Sequence, residues 1–145
     1  MTLGTPMEKN RILIVDDDVH LSQLVALMLD KTGAYACLVE NRSHQALATA
    51  RKFRPDLVLL DVDMPGVDGG DVARQLRADS TLRDVPVIFF TSLVSPSESN
   101  RGMAISGGER FLPKPVDPAV LIQSIGEVLG ARVTSAPAAA PEVTV

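Results

Sequence analysis

The stretch Leu57-Val58-Leu59-Leu60-Asp61-Val62-Asp63-Met64-Pro65-Gly66 constrains this chain most. Four consecutive apolar residues read as a strand buried on both faces, since a half-exposed strand would alternate apolar with polar. The run ends on an acid, and Pro65 and Gly66 then impose a turn. Asp61 therefore stands at the carboxyl end of a strand in a parallel sheet, where open α/β sheets gather their chemistry. A carboxylate there can bind a metal, act as a base or attack phosphorus as a nucleophile. It can also do no more than begin a turn.

The remainder of the chain repeats the pattern. Arg11-Ile12-Leu13-Ile14-Val15 predicts a first strand that ends in Asp16-Asp17-Asp18. Leu21, Leu24, Val25, Met28 and Leu29 recur at the spacing of one helical face, with Asp18 as cap and Gly33 as stop. Ala34 to Val39 predicts a second strand. Ser43 then caps a helix carrying Ala46, Leu47, Ala50 and Phe53, closed by Pro55. After the third strand, Val72, Ala73 and Leu76 mark a helix, and Pro86 opens a fourth strand, Val87 to Thr91. Ser95 to Gly108 reads as a poor helix, because Met103, Ala104 and Ile105 barely form a face. Arg110-Phe111-Leu112 predicts a short fifth strand before Pro113-Lys114-Pro115. Asp117 and Pro118 open a last helix on Leu121, Ile122, Ile125, Val128 and Leu129, stopped by Gly130. Residues 1–10 and the Ala/Pro-rich residues 131–145 read as flexible extensions of a single domain over 11–130. Five alternations of strand and helix imply a parallel sheet with helices on both faces.

Composition narrows the partners. A net charge of -4 argues against nucleic acid or an anionic membrane as the direct partner. The chain has 1 Cys, which excludes an internal disulfide and fits a reducing cytoplasm; Cys37 lies in a predicted strand and reads as an inert core thiol. No basic stretch followed by an apolar run marks a signal peptide, and no apolar run nears the roughly 20 residues of a membrane span.

Asp16 and Asp17 follow the first strand, Asp61 ends the third, Thr91 ends the fourth and Lys114 follows the fifth. In a parallel sheet these ends share one rim. Carboxylates crowded there repel, and at least one has a raised pKa unless a cation intervenes. Three acids against Lys114 leave a charge of about -2, which one hard divalent cation neutralises. Mg²⁺ suits a few carboxylates together with water and phosphate oxygens. The Thr91 hydroxyl and the Lys114 ammonium also suit phosphate oxygens.

Four segments carry a resemblance: Val15-Asp16-Asp17, Leu59-Leu60-Asp61-Val62-Asp63-Met64-Pro65-Gly66-Val67-Asp68-Gly69, Phe90-Thr91-Ser92 and Phe111-Leu112-Pro113-Lys114-Pro115. In this order and spacing they resemble the receiver domain of bacterial two-component response regulators, over roughly Arg11 to Gly130. The resemblance implies an α/β flavodoxin-like (βα)5 doubly wound sheet with strand order 2-1-3-4-5. It implies a cytoplasmic signalling module that takes a phosphoryl group from a histidine kinase or phosphotransfer protein. The module then switches its contacts with a downstream protein target, and the resemblance also allows a homodimer formed on phosphorylation. Catalysis would be confined to its own phosphorylation and slow dephosphorylation.

Residue by residue, the resemblance makes Asp61 the phospho-acceptor. Asp17, Asp61 and the backbone carbonyl of Asp63 become Mg²⁺ ligands, with Asp16 acting through water. Lys114 pairs with the phosphoryl group, Thr91 hydrogen-bonds to it, and Phe111 takes the aromatic switch position of the fifth strand. A cis peptide is implied at Lys114-Pro115. The family has a better helix where this chain has Ser95 to Gly108, a departure that bears on the output face. An alternative comes from Asp61-Val62-Asp63, which is similar to the D-x-D motif of haloacid dehalogenase-type phosphohydrolases. That motif normally ends the first strand rather than the third, and Asp16-Asp17 has no place in its scheme. Asp18 reads as a helix cap rather than a ligand, and His20 and His44, in no metal spacing, as solvated.

Overall fold

A computed structural model describes residues 9–91, 103–106 and 108–135. In chain order the elements are β1 (Asn10–Val15), α1 (Val19–Asp30), β2 (Tyr35–Glu40), α2 (Ala46–Phe53), β3 (Leu57–Asp61), α3 (Gly69–Ala78), β4 (Val87–Thr91), β5 (Ala104–Ser106), β6 (Glu109–Pro113) and α4 (Pro118–Ser135). They form one sheet in the order β2-β1-β3-β4-β6-β5. The five strands expected from sequence are parallel and lie in the expected 2-1-3-4-5 order, β6 being the fifth of them.

Strand alternation sorts the core into two layers. Ile12, Ile14, Leu57, Leu59, Ile88, Phe90 and Leu112 meet Val25 and Leu29 of α1 and Leu121, Ile125 and Val128 of α4. On the opposite face Leu13, Val15, Val58, Leu60 and Phe89 meet Ala46 and Ala50 of α2 and Val72, Ala73 and Leu76 of α3. Covering both faces is why the central strands read as unbroken apolar runs. Among the described residues no helix is long and apolar enough to cross a membrane. Cys37 is half-buried, and burial pushes its thiol up to about 12, so the thiol stays protonated and inert.

Four expectations are corrected. First, Leu24 is 52% exposed; the buried stripe of α1 is Ser22, Val25 and Leu29. Ser22 can take a core position because its hydroxyl reaches the carbonyls of Asp18 and Val19. Second, Ser43 opens a 3-10 turn (Ser43–Gln45), and α2 begins after Gln45 with no side-chain cap bond. Third, the only described part of the segment expected as a poor helix, its C-terminal end, forms β5, antiparallel to β6; the rest lies outside the described residues. Ser106 pairs with Glu109, and Gly108 takes a φ of 82° that a glycine adopts without steric cost. Fourth, Gly130 does not stop α4, which continues to Ser135; Val128 and Leu129 bury against the core and outweigh the roughly 1 kcal/mol helix penalty of a glycine. The caps at Asp18 and Asp117 are as read, accepting from the N–H groups of Leu21 and Ala119.

Candidate functional site

The parallel register brings the ends of β1, β3, β4 and β6 to one rim. Val15 pairs with Leu60, Asp61 with Phe90, and Thr91 with Pro113. The residues just beyond these pairs are Asp16, Asp17 and Lys114. The Lys114 N–H donates to the Thr91 carbonyl at 3.0 Å, and Lys114-Pro115 is cis, as the resemblance implies.

Carboxylate oxygens of Asp16, Asp17 and Asp61 lie within 4.8 Å of one another. Asp16 and Asp61 are 1% and 2% exposed, whereas Asp17 is open to solvent. The Lys114 Nζ stands 3.0 Å from Asp61 Oδ1 and 3.4 Å from Asp16 Oδ2. Asp61 Oδ1 also accepts the Asp63 N–H at 3.2 Å, so the turn after β3 folds back on its own acid.

The electrostatics follow from crowding and burial. Burial pushes the Asp16 carboxyl up from 3.8 to about 6, and the Asp61 charge adds to it. The Asp18 N–H and the Lys114 charge pull the other way. Burial alone would lower the Lys114 pKa, but its bond to Asp61 and the charges of Asp16 and Asp61 outweigh that and raise it. Lys114 is thus a fixed cation facing more negative charge than it can neutralise. Three carboxylates, two of them withdrawn from water, match the oxygen donors a hard divalent cation takes, and one such cation would balance the excess.

Asp16, Asp17, Asp61 and Lys114 are therefore brought together. Asp63 is exposed and joins through its backbone N–H. Thr91 is 2% exposed and lies on the same rim, one strand from Asp61. Phe111 is not part of the cluster. It lies in register with Phe89 and stacks on that ring, centroids 5.3 Å apart, on the face covered by α2 and α3. It borders a cavity of about 380 Å³ with Phe89, Val62, Ala73, Arg77 and Glu109.

Two positioning features escaped the sequence reading. Gly69 opens α3 directly against β3: a Cβ built there collides with the Asp61 carbonyl oxygen and lies 2.9 Å from Val62 Cα. Glycine in the first turn of a helix, just after the acid, was the available signal. Asn41, immediately after β2, donates to the Asp16 carbonyl at 2.7 Å. Its place at the carboxyl end of a parallel strand was the only hint.

A family model described as the response regulator receiver domain matches residues 12–126. The chain belongs to the response regulator receiver family. This receiver domain is 37% identical over 117 residues to the DNA-binding response regulator MtrA of Mycobacterium tuberculosis, covering 81% of this chain and 49% of that protein. It thus spans about half the length of MtrA. It is 37% identical over 119 residues to protein PilH of Pseudomonas aeruginosa, covering 82% of this chain and 97% of PilH. The chemotaxis protein CheY4 of Vibrio cholerae superposes with a TM-score of 0.71 at 28% identity, over 83% of this chain and 99% of that one. The receiver domain of the sensor histidine kinase PA1611 from Pseudomonas aeruginosa, with a magnesium ion coordinated in its active site cleft, gives 0.70 at 27% identity, over 85% and 99%. Receiver domains are phospho-accepting signalling domains rather than metabolic enzymes, and they work with histidine kinases and downstream effectors. The family match lends the phosphohydrolase alternative no support.

Proposed function

We propose that Asp61 is the residue phosphorylated: its carboxylate attacks the phosphorus of a phosphohistidine in a histidine kinase or phosphotransfer protein, an O–P bond forms as the P–N bond breaks, and the donor's imidazole leaves. One observation carries this reading: three carboxylates converge at the rim, with the Lys114 ammonium 3.0 Å from the one that ends β3. Asp17, Asp61 and the Asp63 carbonyl would hold Mg²⁺ directly, and Asp16 through water. When bound, the cation supplies charge neutralisation between the incoming phosphoryl oxygens and the acids.

The residues of the chain do the rest. Lys114 is held charged by the acids and stays beside Asp61 Oδ1, where it can follow negative charge onto a new phosphoryl group. The bond from the Asp63 N–H orients the same carboxylate. Thr91, on the neighbouring strand, offers a hydroxyl to a phosphoryl oxygen, and its shift frees space for Phe111 to turn. The altered surface around Thr91 and Phe111 then changes affinity for a downstream protein or for a second phosphorylated copy. The unit that acts is residues 11–130. The same reading places the domain in the cytoplasm.

The test uses the full chain with acetyl phosphate, with and without Mg²⁺, followed by intact mass. Mg²⁺-dependent addition of one phosphoryl group is expected, and Asp63→Asn should still accept it. Sustained turnover of p-nitrophenyl phosphate, abolished by Asp63→Asn, would overturn the signalling reading in favour of a hydrolase using Asp63 as acid/base.

A further inference from the structure

Asp17 is the least supported of the three acids. It is exposed, and among the described residues its carboxylate has no hydrogen bond or ion pair. Its place near Asp16 and Asp61 therefore depends on its main chain. That main chain is tied down from outside the acidic cluster. Asn41 Nδ2 donates to the Asp16 carbonyl at 2.7 Å and to Ser22 Oγ at 2.9 Å. The Asp16 carbonyl can only accept, so the amide nitrogen and not its oxygen faces it, and both amide hydrogens are used. Ser22 Oγ, fully buried, carries one hydrogen and reaches the Asp18 carbonyl at 2.8 Å and the Val19 carbonyl at 3.0 Å. One amide group thus fixes the backbone before and after Asp17: the Asp16–Asp17 peptide unit directly at the Asp16 carbonyl, and the Asp18–Val19 unit, one residue further on, through the Ser22 hydroxyl.

We infer that Asn41 is a positioning residue for the divalent-cation site, holding the Asp17 carboxylate in place through the backbone on either side of it. The inference rests on the reading of Asp16, Asp17 and Asp61 as that site. Groups that orient metal ligands commonly matter about 10–100-fold in affinity although they never touch the ion. Asn41 sits at the low end of that range, because it acts through the main chain rather than through a ligand atom.

The test is calorimetric titration of Mg²⁺ into the EDTA-stripped full chain, with thermal melting of each metal-free variant alongside. Asn41→Ala should bind Mg²⁺ about tenfold more weakly than wild type. Ser22→Ala, which removes the hydroxyl that links Asn41 to the Asp18 and Val19 carbonyls but leaves the Asn41 bond to the Asp16 carbonyl, should bind about two- to threefold more weakly, the loss of roughly one modest hydrogen bond. A purely structural role would lower the melting temperature and leave both affinities unchanged. An Asn41→Ala affinity within about twofold of wild type, below the 10–100-fold range, overturns the inference. Should that variant fail to fold, an unchanged affinity in Ser22→Ala overturns it instead. Failure of the wild-type chain to bind Mg²⁺ would refute the reading of the site itself, an outcome the titration separates from the first.

Discussion

Replacing Asp16 by Asn should abolish the loss of stability that the metal-free protein suffers at its acidic rim as pH rises. In the folded chain burial and the Asp61 charge hold the Asp16 proton up to about pH 6, whereas a carboxyl in the unfolded chain releases it near 3.8. Between those values the folded state binds more protons than the unfolded state. Stability therefore falls as pH rises through the window, and the whole cost is present above the folded pKa. A difference of about two units corresponds to about 3 kcal/mol, of which most accrues between about pH 4 and pH 7. Asn has nearly the same shape and keeps an oxygen for the Asp18 N–H, yet carries no charge to bury. Urea denaturation of EDTA-treated wild type and Asp16→Asn across that range measures the effect. The variant should gain on wild type by about 2–3 kcal/mol as pH rises, and saturating Mg²⁺ should flatten the wild-type curve. Parallel curves for the two proteins would refute the claim that Asp16 is strained by burial and by its neighbours.

Other positions give narrower tests. Gly69→Ala forces a methyl into the Asp61 carbonyl, so it should cost about 1–3 kcal/mol in urea denaturation and slow phosphorylation, while Gly70→Ala, whose Cβ would meet only side-chain atoms, should do neither. Arg77 of α3 grips Glu109 of β6 through two 2.7 Å bonds, but both side chains are partly exposed. A double-mutant cycle should give a coupling of no more than about 1 kcal/mol that fades with salt. Hydrogen exchange with and without beryllofluoride should change between residues 91 and 112, and a response confined to α1 and α2 would place the output surface elsewhere.

What was readable from sequence follows a physical division. Ile12–Val15, Leu57–Leu60 and Val87–Phe90 are buried on both faces, so their continuous apolarity announced strands of a covered parallel sheet. The rim rule then predicted the meeting of Asp16, Asp17, Asp61 and Lys114 from their positions alone. Short or locally ambiguous features were not readable. β5 has three residues, too few for any period to emerge, and its pairing depends on a reversal at Gly108. Gly130 is a stop signal by local propensity, overridden by the packing of Val128 and Leu129. Leu24, expected on the buried face of α1, is exposed, and Ser22 takes a core position because a hydroxyl bonded within its own helix can sit there. Asn41 acts through one tertiary hydrogen bond to a residue 25 positions away, which no local pattern encodes.

The central claim is that Asp61 takes the phosphoryl group. Its most direct test is mass-spectrometric location of the label after Mg²⁺-dependent phosphorylation by acetyl phosphate and borohydride trapping. The account predicts label at Asp61 in the wild-type chain and none in Asp61→Asn, with Lys114→Ala labelled far more slowly. Full labelling of Asp61→Asn, or label found on Asp16, Asp17 or Asp63 in the wild type, would contradict it.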